Sequence, residues 1–299
     1  MKRSTLLLIG VLVALGVVTA IVLQQPGESS SDKAPEMLVT YDSSAVDRLQ
    51  ITSGGSTVTL TLEGGRWMIT SPVHYRADEN AVTMALSRGR KIEIRGLVST
   101  NPEKQGVFQV DSSATLVQVF ERGTPAAAFR IGKAGTTFSE TYVRREGSTD
   151  VLIGEGPLAH LFVKSPKDWR DRTIFKAEHD KITSIRYRYG DTTFTLALFD
   201  SVWKVDSRPA SPPVVQNLLS TLTNYLANDF LDSAFTPSTP PAALVELPGT
   251  QLRFYRAGEG NRYLVQSSQD PQWYVLEQYH ALDVLKRQSD LAAPGVSLP

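Results

Sequence analysis

Two runs of alternating apolar and polar residues face each other across Gly54-Gly55: Leu49 and Ile51 before the turn, Val58, Leu60 and Leu62 after it. Successive side chains on a strand point to opposite faces, so each run predicts a strand with one buried face. The Gly-Gly step predicts the tight turn that joins them. A third short strand over residues 67–69, opening on Trp67, completes a meander.

The chain then repeats itself. Residues 46–69 align without a gap with residues 182–205, so that Leu49 matches Ile185, Leu60 matches Leu196, Leu62 matches Leu198 and Trp67 matches Trp203. A helix signal follows each meander. In the second copy Ser211 as N-cap and Pro212 at the first helical position precede Val215, Leu218, Leu219, Leu222 and Leu226, one apolar stripe at helical spacing. In the first copy Asp78 caps a weaker helix carrying Val82, Ala85 and Leu86. Both copies return to strands, over 115–120 and 128–131 in the first and over 251–255 and 263–265 in the second. Each ends in a strand and a short helix: 151–153 before Leu158, Leu161 and Phe162, and 274–276 before Ala281, Val284 and Leu285. A strand over 141–144 reads as an addition to the first copy, and the Pro-rich stretch 236–241 as a loop inside the second.

These elements predict an α+β fold, a tandem duplication of an antiparallel-sheet unit with one or two covering helices, because a sheet with a single apolar face needs a covering layer. Trp67, Trp203, Leu60 and Leu196 are the expected structural core of the repeats, the two indoles read as core anchors and not as a ligand-stacking pair. The boundary falls near residues 169–173, giving repeats over 37–173 and 174–290 and a tail over 291–299.

The N-terminus changes the picture from one body to a body on an anchor. Lys2 and Arg3 precede an unbroken apolar run over residues 6–23, and no charge returns until Glu28. Eighteen residues of helix reach roughly 27 Å, the thickness of a hydrocarbon core. The fold is therefore expected to be preceded by one transmembrane helix, an uncleaved signal anchor. The alternative is a signal peptide cut after Val18-Thr19-Ala20, against which Ile21, Val22 and Leu23 continue the run. The basic pair leaves residues 1–5 in the cytoplasm. Residues 24–36, polar and Ser- and Pro-containing, read as a flexible stalk, and the C-terminal body lies on the periplasmic, extracytoplasmic side of the inner membrane.

Composition then removes function classes. Lysine plus arginine (31) balances aspartate plus glutamate (31) in 299 residues, so no overall field draws the chain to nucleic acid. Cysteine is absent, which excludes disulfides, thiolate metal sites and cysteine nucleophiles. His74, His160, His179 and His280 show no metal-ligand spacing. His179-Asp180 with Ser184 has the residue types of a triad without the G-x-S-x-G turn, and the S-x-x-K matches at 30–33 and 201–204 fall in the stalk and across a turn. The glycines of 154–160 lack a phosphate-loop spacing and read as a strand-to-helix turn. Asp78 and Glu79, adjacent at a helix start, suit the dipole better than acid-base work. No catalytic, cofactor-binding or metal site is expected, and the chain is not expected to be an enzyme. Arg186 and Arg188 alternate with Tyr187 and Tyr189, which puts cations on one sheet face and aromatics on the other. That is a solvated face over a core, with docking of an acidic partner through Arg186 and Arg188 as the functional alternative.

The anchor, the two tryptophan meanders, "IGK" at 131–133, "TYVRREGSTDVLIG" at 141–154 and "KDWRDRTIF" at 167–175 together resemble the domain of unknown function family 4340. The resemblance covers most of the chain after the stalk. It implies an extracytoplasmic accessory protein that accompanies ABC-type transport components of the gliding-motility kind, and it carries over no site residue. In "DWRDR" two readings stand side by side. Structurally, Trp169 buries its ring while Asp168, Arg170, Asp171 and Arg172 make local ion pairs at the junction. Functionally, Trp169 and Arg170 form a docking point for a transporter subunit. The expected function is a membrane-anchored accessory or scaffold protein of a transporter complex. The alternative is a solute- or glycan-binding module with a pocket between the repeats lined by exposed aromatics.

Overall fold

The computed structural model describes residues 34–258 and 261–293. The predicted membrane span lies outside them, and among the described residues no helix is long and apolar enough to cross a membrane.

The first half builds one antiparallel sheet from β1 (Val46–Ser53), β2 (Ser56–Glu63), β3 (Arg66–Ser71), β4 (Tyr75–Arg76), β5 (Ile94–Ser99), β6 (Thr115–Glu121), β7 (Thr124–Ala134), β8 (Glu140–Arg145) and β9 (Val151–Glu155). Their spatial order is β4-β3-β2-β1-β6-β7-β8-β9-β5. A two-stranded ribbon follows, β10 (Thr173–Lys176) paired with β15 (Asn224–Leu226). The second sheet uses β11 (Ser184–Tyr189), β12 (Thr192–Phe199), β13 (Val202–Val205), β14 (Arg208–Pro209), β16 (Asp229–Leu231), β17 (Ala243–Leu247), β18 (Thr250–Arg256), β19 (Arg262–Ser267) and β20 (Asp270–Glu277). Its order is β14-β13-β12-β11-β17-β18-β19-β20-β16, the first sheet's order strand for strand.

The register follows from the alternation. In β1 and β2, Leu49 pairs with Leu60 and Ile51 with Val58; in β11 and β12, Ile185 pairs with Leu196 and Tyr187 with Phe194. β2 and β12 share one burial pattern, with two buried residues per strand at alternate positions. Helix α1 (Glu79–Gly89) covers the first sheet through Val82, Ala85 and Leu86, and its N-cap Asp78 accepts from the amides of Asn80 and Ala81. The short α2 (Ala159–Phe162) adds Leu161 and Phe162. In the second half α3 (Pro212–Leu222) buries Val215, Leu218, Leu219 and Leu222, with Pro212 at the position where its missing N–H costs nothing. α4 (Gln278–Val284) and α5 (Gln288–Leu291) complete the cover. Each half thus owns a separate apolar core.

The expected α+β class is corrected: strands hold 47% of the structure and helices 18%, so the body is mostly antiparallel β in two large sheets. Among the described residues only α1 and α3 reach 11 residues. Strands that the pattern did not reveal tip the balance, β5, β10, β16 and β17 among them. The strand over 141–144 is no addition either, since β8 has β19 as its counterpart. The apparent surplus arises because β17, just behind the loop at 236–241, carries no assignment in the sequence reading. Leu226, assigned to the helical stripe, lies in β15, as α3 ends at Leu222. Leu291, assigned to the tail, is fully buried in the second core.

One device closes both halves. After the last helix of the first half, residues 166–169 form a 3-10 turn held by a capping box of Ser165 and Asp168, and the Trp169 carbonyl accepts from the Asp78 amide at 2.8 Å. In the second half the Asp290 carboxylate accepts from the Arg287 amide at 2.7 Å at the start of α5, and the Leu291 carbonyl accepts from the Ser211 amide at 2.8 Å. Each strap also adds a bridge beside the meander, Arg170 on Ala77 and Ala292 on Ala210.

Candidate functional site

The strap of the first half is also the crossing to the second. The Asp171 amide donates to the Arg76 carbonyl at 3.0 Å, and two residues later β10 begins its pairing with β15. The crossing brings the start of α1 and the β3–β4 edge against the ribbon of the other half. A cleft of about 500 Å³ remains between them. One wall is Arg66, Trp67, Arg76 and the α1 start at Asp78, Glu79 and Asn80; the other is Asp171, Arg172, Thr173, Lys176, Asn224 and Leu226.

Behind the cleft the halves are pinned by a polar network. The Arg76 guanidinium reaches Asp270 at 2.9 Å and Asp171 at 3.4 Å. The Tyr274 hydroxyl donates to Asp270 at 2.9 Å and lies 2.9 Å from the Tyr75 hydroxyl. Burial pushes the Tyr75 phenol up to about 12 and Tyr274 higher still, so both keep their protons and remain donors. Burial works against the charge on Arg76, but the neighbouring Tyr75 and Asp270 more than offset it and leave its affinity for the proton raised.

Arg170 carries the second part of the pin. It donates to Asp232 at 2.6 Å and to Gln272 at 2.9 Å, while its guanidinium lies 3.7 Å from the Phe230 ring centroid and 4.4 Å from that of Tyr75. Arg170→Ala is expected to lower the unfolding free energy by about 2–3 kcal/mol in urea titrations. That is at or below the low end for breaking a buried pair, because Asp232 is left half in water. Arg170→Lys is expected to recover little, since an ammonium cannot fork to two acceptors and lie flat on two rings.

The residues singled out in the sequence are distributed as follows. Leu60 and Leu196 are fully buried in separate cores. Trp67 and Trp203 are partly buried, each packed against its own core and each lining a pocket. Trp169 and Arg170, weighed as a docking point, are 0% and 4% exposed and present no surface to a partner. The ion pairs expected to be local are mostly long-range: Arg170 pairs with Asp232 and Asp171 with Arg76, while Asp168 caps its own turn. Arg186 and Arg188 are exposed and Tyr187 is buried, with Arg186 at 4.0 Å from Glu246. Neither arginine lines the cleft. His74 meets Glu63 at 3.2 Å on the surface and His280 lies 3.2 Å from Asn228. Among the described residues no group of three His, Asp or Glu stands close enough to hold a metal ion.

Arg66, Lys176 and Asn224 carried no signal in the sequence. Asp171, Arg172 and Thr173 did lie inside the quoted stretch 167–175, and Trp67, Asp78, Glu79 and Leu226 were each singled out for other reasons, but nothing in the sequence brought them to one cleft.

No curated protein and no solved structure matches the chain. A family model described as "Domain of unknown function (DUF4340)" matches residues 67–246, more than half of the sequence. The match begins at Trp67, runs through the crossing and the ribbon, and takes in every residue of the cleft except Arg66. The chain belongs to this family, DUF4340.

Proposed function

We propose that the chain is a non-catalytic binding module, carried on the extracytoplasmic side of the membrane by its N-terminal apolar run, with its ligand in the cleft between the two halves. The observation that carries this reading is the cleft itself. It forms where the β3–β4 edge and the α1 start of one half meet the β10–β15 ribbon, its volume lies in the range of small-molecule sites, and the partly buried Trp67 lines it. The pinned interface behind it keeps the two walls in fixed register, as a preformed site requires. Lys2 and Arg3 ahead of residues 6–23 support the orientation.

Native mass spectrometry of the full chain, extracted in mild detergent, tests the reading. A bound mass is expected on the natural protein and absent from Asn224→Trp, whose indole fills the cleft from the exposed wall. A naked natural protein, or an adduct that survives in the variant, overturns it.

A second reading, an accessory subunit of a transporter complex, rests on a different surface. Leu198, Phe199 and Val202 at the β12–β13 turn are 40%, 50% and 48% exposed beside Trp203. Retention of transporter subunits through gentle purification supports it; recovery of the protein alone under several such conditions removes it.

A further inference from the structure

We infer that the ligand of the cleft is a small saccharide carrying an oxyanion, a carboxylate or a phosphate, held by Arg66, Arg172 and Lys176 with its ring against Trp67. This inference rests on the cleft reading and gives it a chemical class.

The charges in the cleft are not balanced by their neighbours. Arg76 is committed to Asp171 and Asp270. Asp78 is committed to the α1 amides, and Asp171 also accepts from the Thr173 amide. The helix start is thereby satisfied and offers no anion site of its own. Among the described residues Arg66, Arg172 and Lys176 make no side-chain hydrogen bond or ion pair, and all three are exposed toward the cleft. Glu79 is the one acidic lining residue not engaged in the same way. The cleft therefore has a surplus of cationic donors, three uncommitted cations against the single uncommitted carboxylate of Glu79. Guanidinium groups match carboxylate and phosphate oxygens two bonds at a time, and the lysine adds a point charge.

The duplication supplies an internal control. At positions equivalent to Arg66, Arg76 and Glu79 the second half carries Val202, Pro209 and Pro212. Its own pocket of about 300 Å³ is lined mainly by apolar residues, including Val202, Trp203, Ala210, Pro212 and Leu219. The same meander and helix start fold there with no cation at the places of Arg66 and Arg76. Arg66 is thus not required by the meander fold, and of the two pockets beside the paired tryptophans only the one at Trp67 is lined by arginine and lysine. A planar indole beside free guanidinium groups and the Asn224 amide is suited to the apolar face, hydroxyls and acid group of a charged sugar.

Isothermal titration of the full chain in mild detergent at low salt provides the test, with D-glucuronic acid, glucose 6-phosphate, glucose and inorganic phosphate as probes. At least one acidic sugar is expected to bind tenfold or more tighter than glucose and than inorganic phosphate, and to weaken as salt is raised. The double variant Arg66→Glu, Lys176→Glu is expected to lose tenfold or more of that affinity with an unchanged urea midpoint, since both side chains are exposed. The preferred probe identifies the group as carboxylate or phosphate. Glucose binding as tightly as the acidic sugars, phosphate alone binding as tightly, full affinity in the charge-reversed variant, or no heat with any probe each overturns this inference. The cleft reading is judged separately: an uncharged adduct in the mass spectrum, lost in Asn224→Trp, would sink the acidic class and leave the binding module standing.

Discussion

Trp169→Ala is expected to cost about 3–5 kcal/mol of unfolding free energy, the range for truncating a fully buried large aromatic side chain. Trp169 is 0% exposed and belongs to the first core, with the Lys164 ammonium 4.8 Å from its ring. Its backbone carbonyl holds the Asp78 amide at the start of α1. Deleting the indole leaves a cavity under the strap, where the capping box of Ser165 and Asp168 resists collapse. Trp169→Phe is expected to keep most of the stability, because the indole Nε1 has no hydrogen-bond partner in the protein and its removal leaves no acceptor unmet. Urea unfolding of the two variants decides the matter. An alanine variant within about 1 kcal/mol of the natural protein would show that the strap is an ornament and that the first core closes without it.

Leu60→Ala and Leu196→Ala are the second pair, each expected to cost about 2–5 kcal/mol. The two leucines occupy equivalent places on β2 and β12, each with no exposed surface, opposite Leu49 and Ile185. They belong to separate cores with no shared partner. The double variant is therefore expected to lose the sum of the two single losses to within about 0.5 kcal/mol. A shortfall of more than about 1 kcal/mol in equilibrium unfolding would mean that strain in one core reaches the other through Arg76, Arg170 and their partners.

The meanders were legible because their alternation is strict and their turns are marked. Gly54-Gly55 and Gly190 adopt positive φ, as the tight turns between β1 and β2 and between β11 and β12 require. α1 and α3 were legible because Asp78 and Ser211-Pro212 announce them. β17 was hidden by the prolines before it, and β5 by its composition, since Ile94–Ser99 carries an arginine and a glycine at the sheet edge and has no fully buried residue. The class was misjudged for the same reason: each unread strand is short or edge-lying, and periodicity is weakest where only part of a face is covered. The cleft was illegible in a stronger sense. Its walls come from residues 66–80, 171–176 and 224–226, and the contact between Tyr75 and Tyr274 spans 199 positions, so no local pattern brings those groups together. Burial of Trp169 was foreseen from its residue type, whereas the partner of Arg170 was not, because Asp232 lies far along the chain.

The strap has a consequence for how this polypeptide is made and dissected. Synthesis runs from the N-terminus, and the first core lacks its lid until Trp169 has emerged, although β9 ends at Glu155. A shortened gene stopping after α2 would keep both covering helices but leave the place of Trp169 in the first core unfilled and the Asp78 amide without its acceptor. The earliest stop that leaves a sealed unit falls after Asp171, whose amide makes the last bond back to Arg76, and only one residue separates it from the first strand of the next unit. The two units therefore share a seam with almost no slack, and a cut meant to separate them must choose which one keeps it.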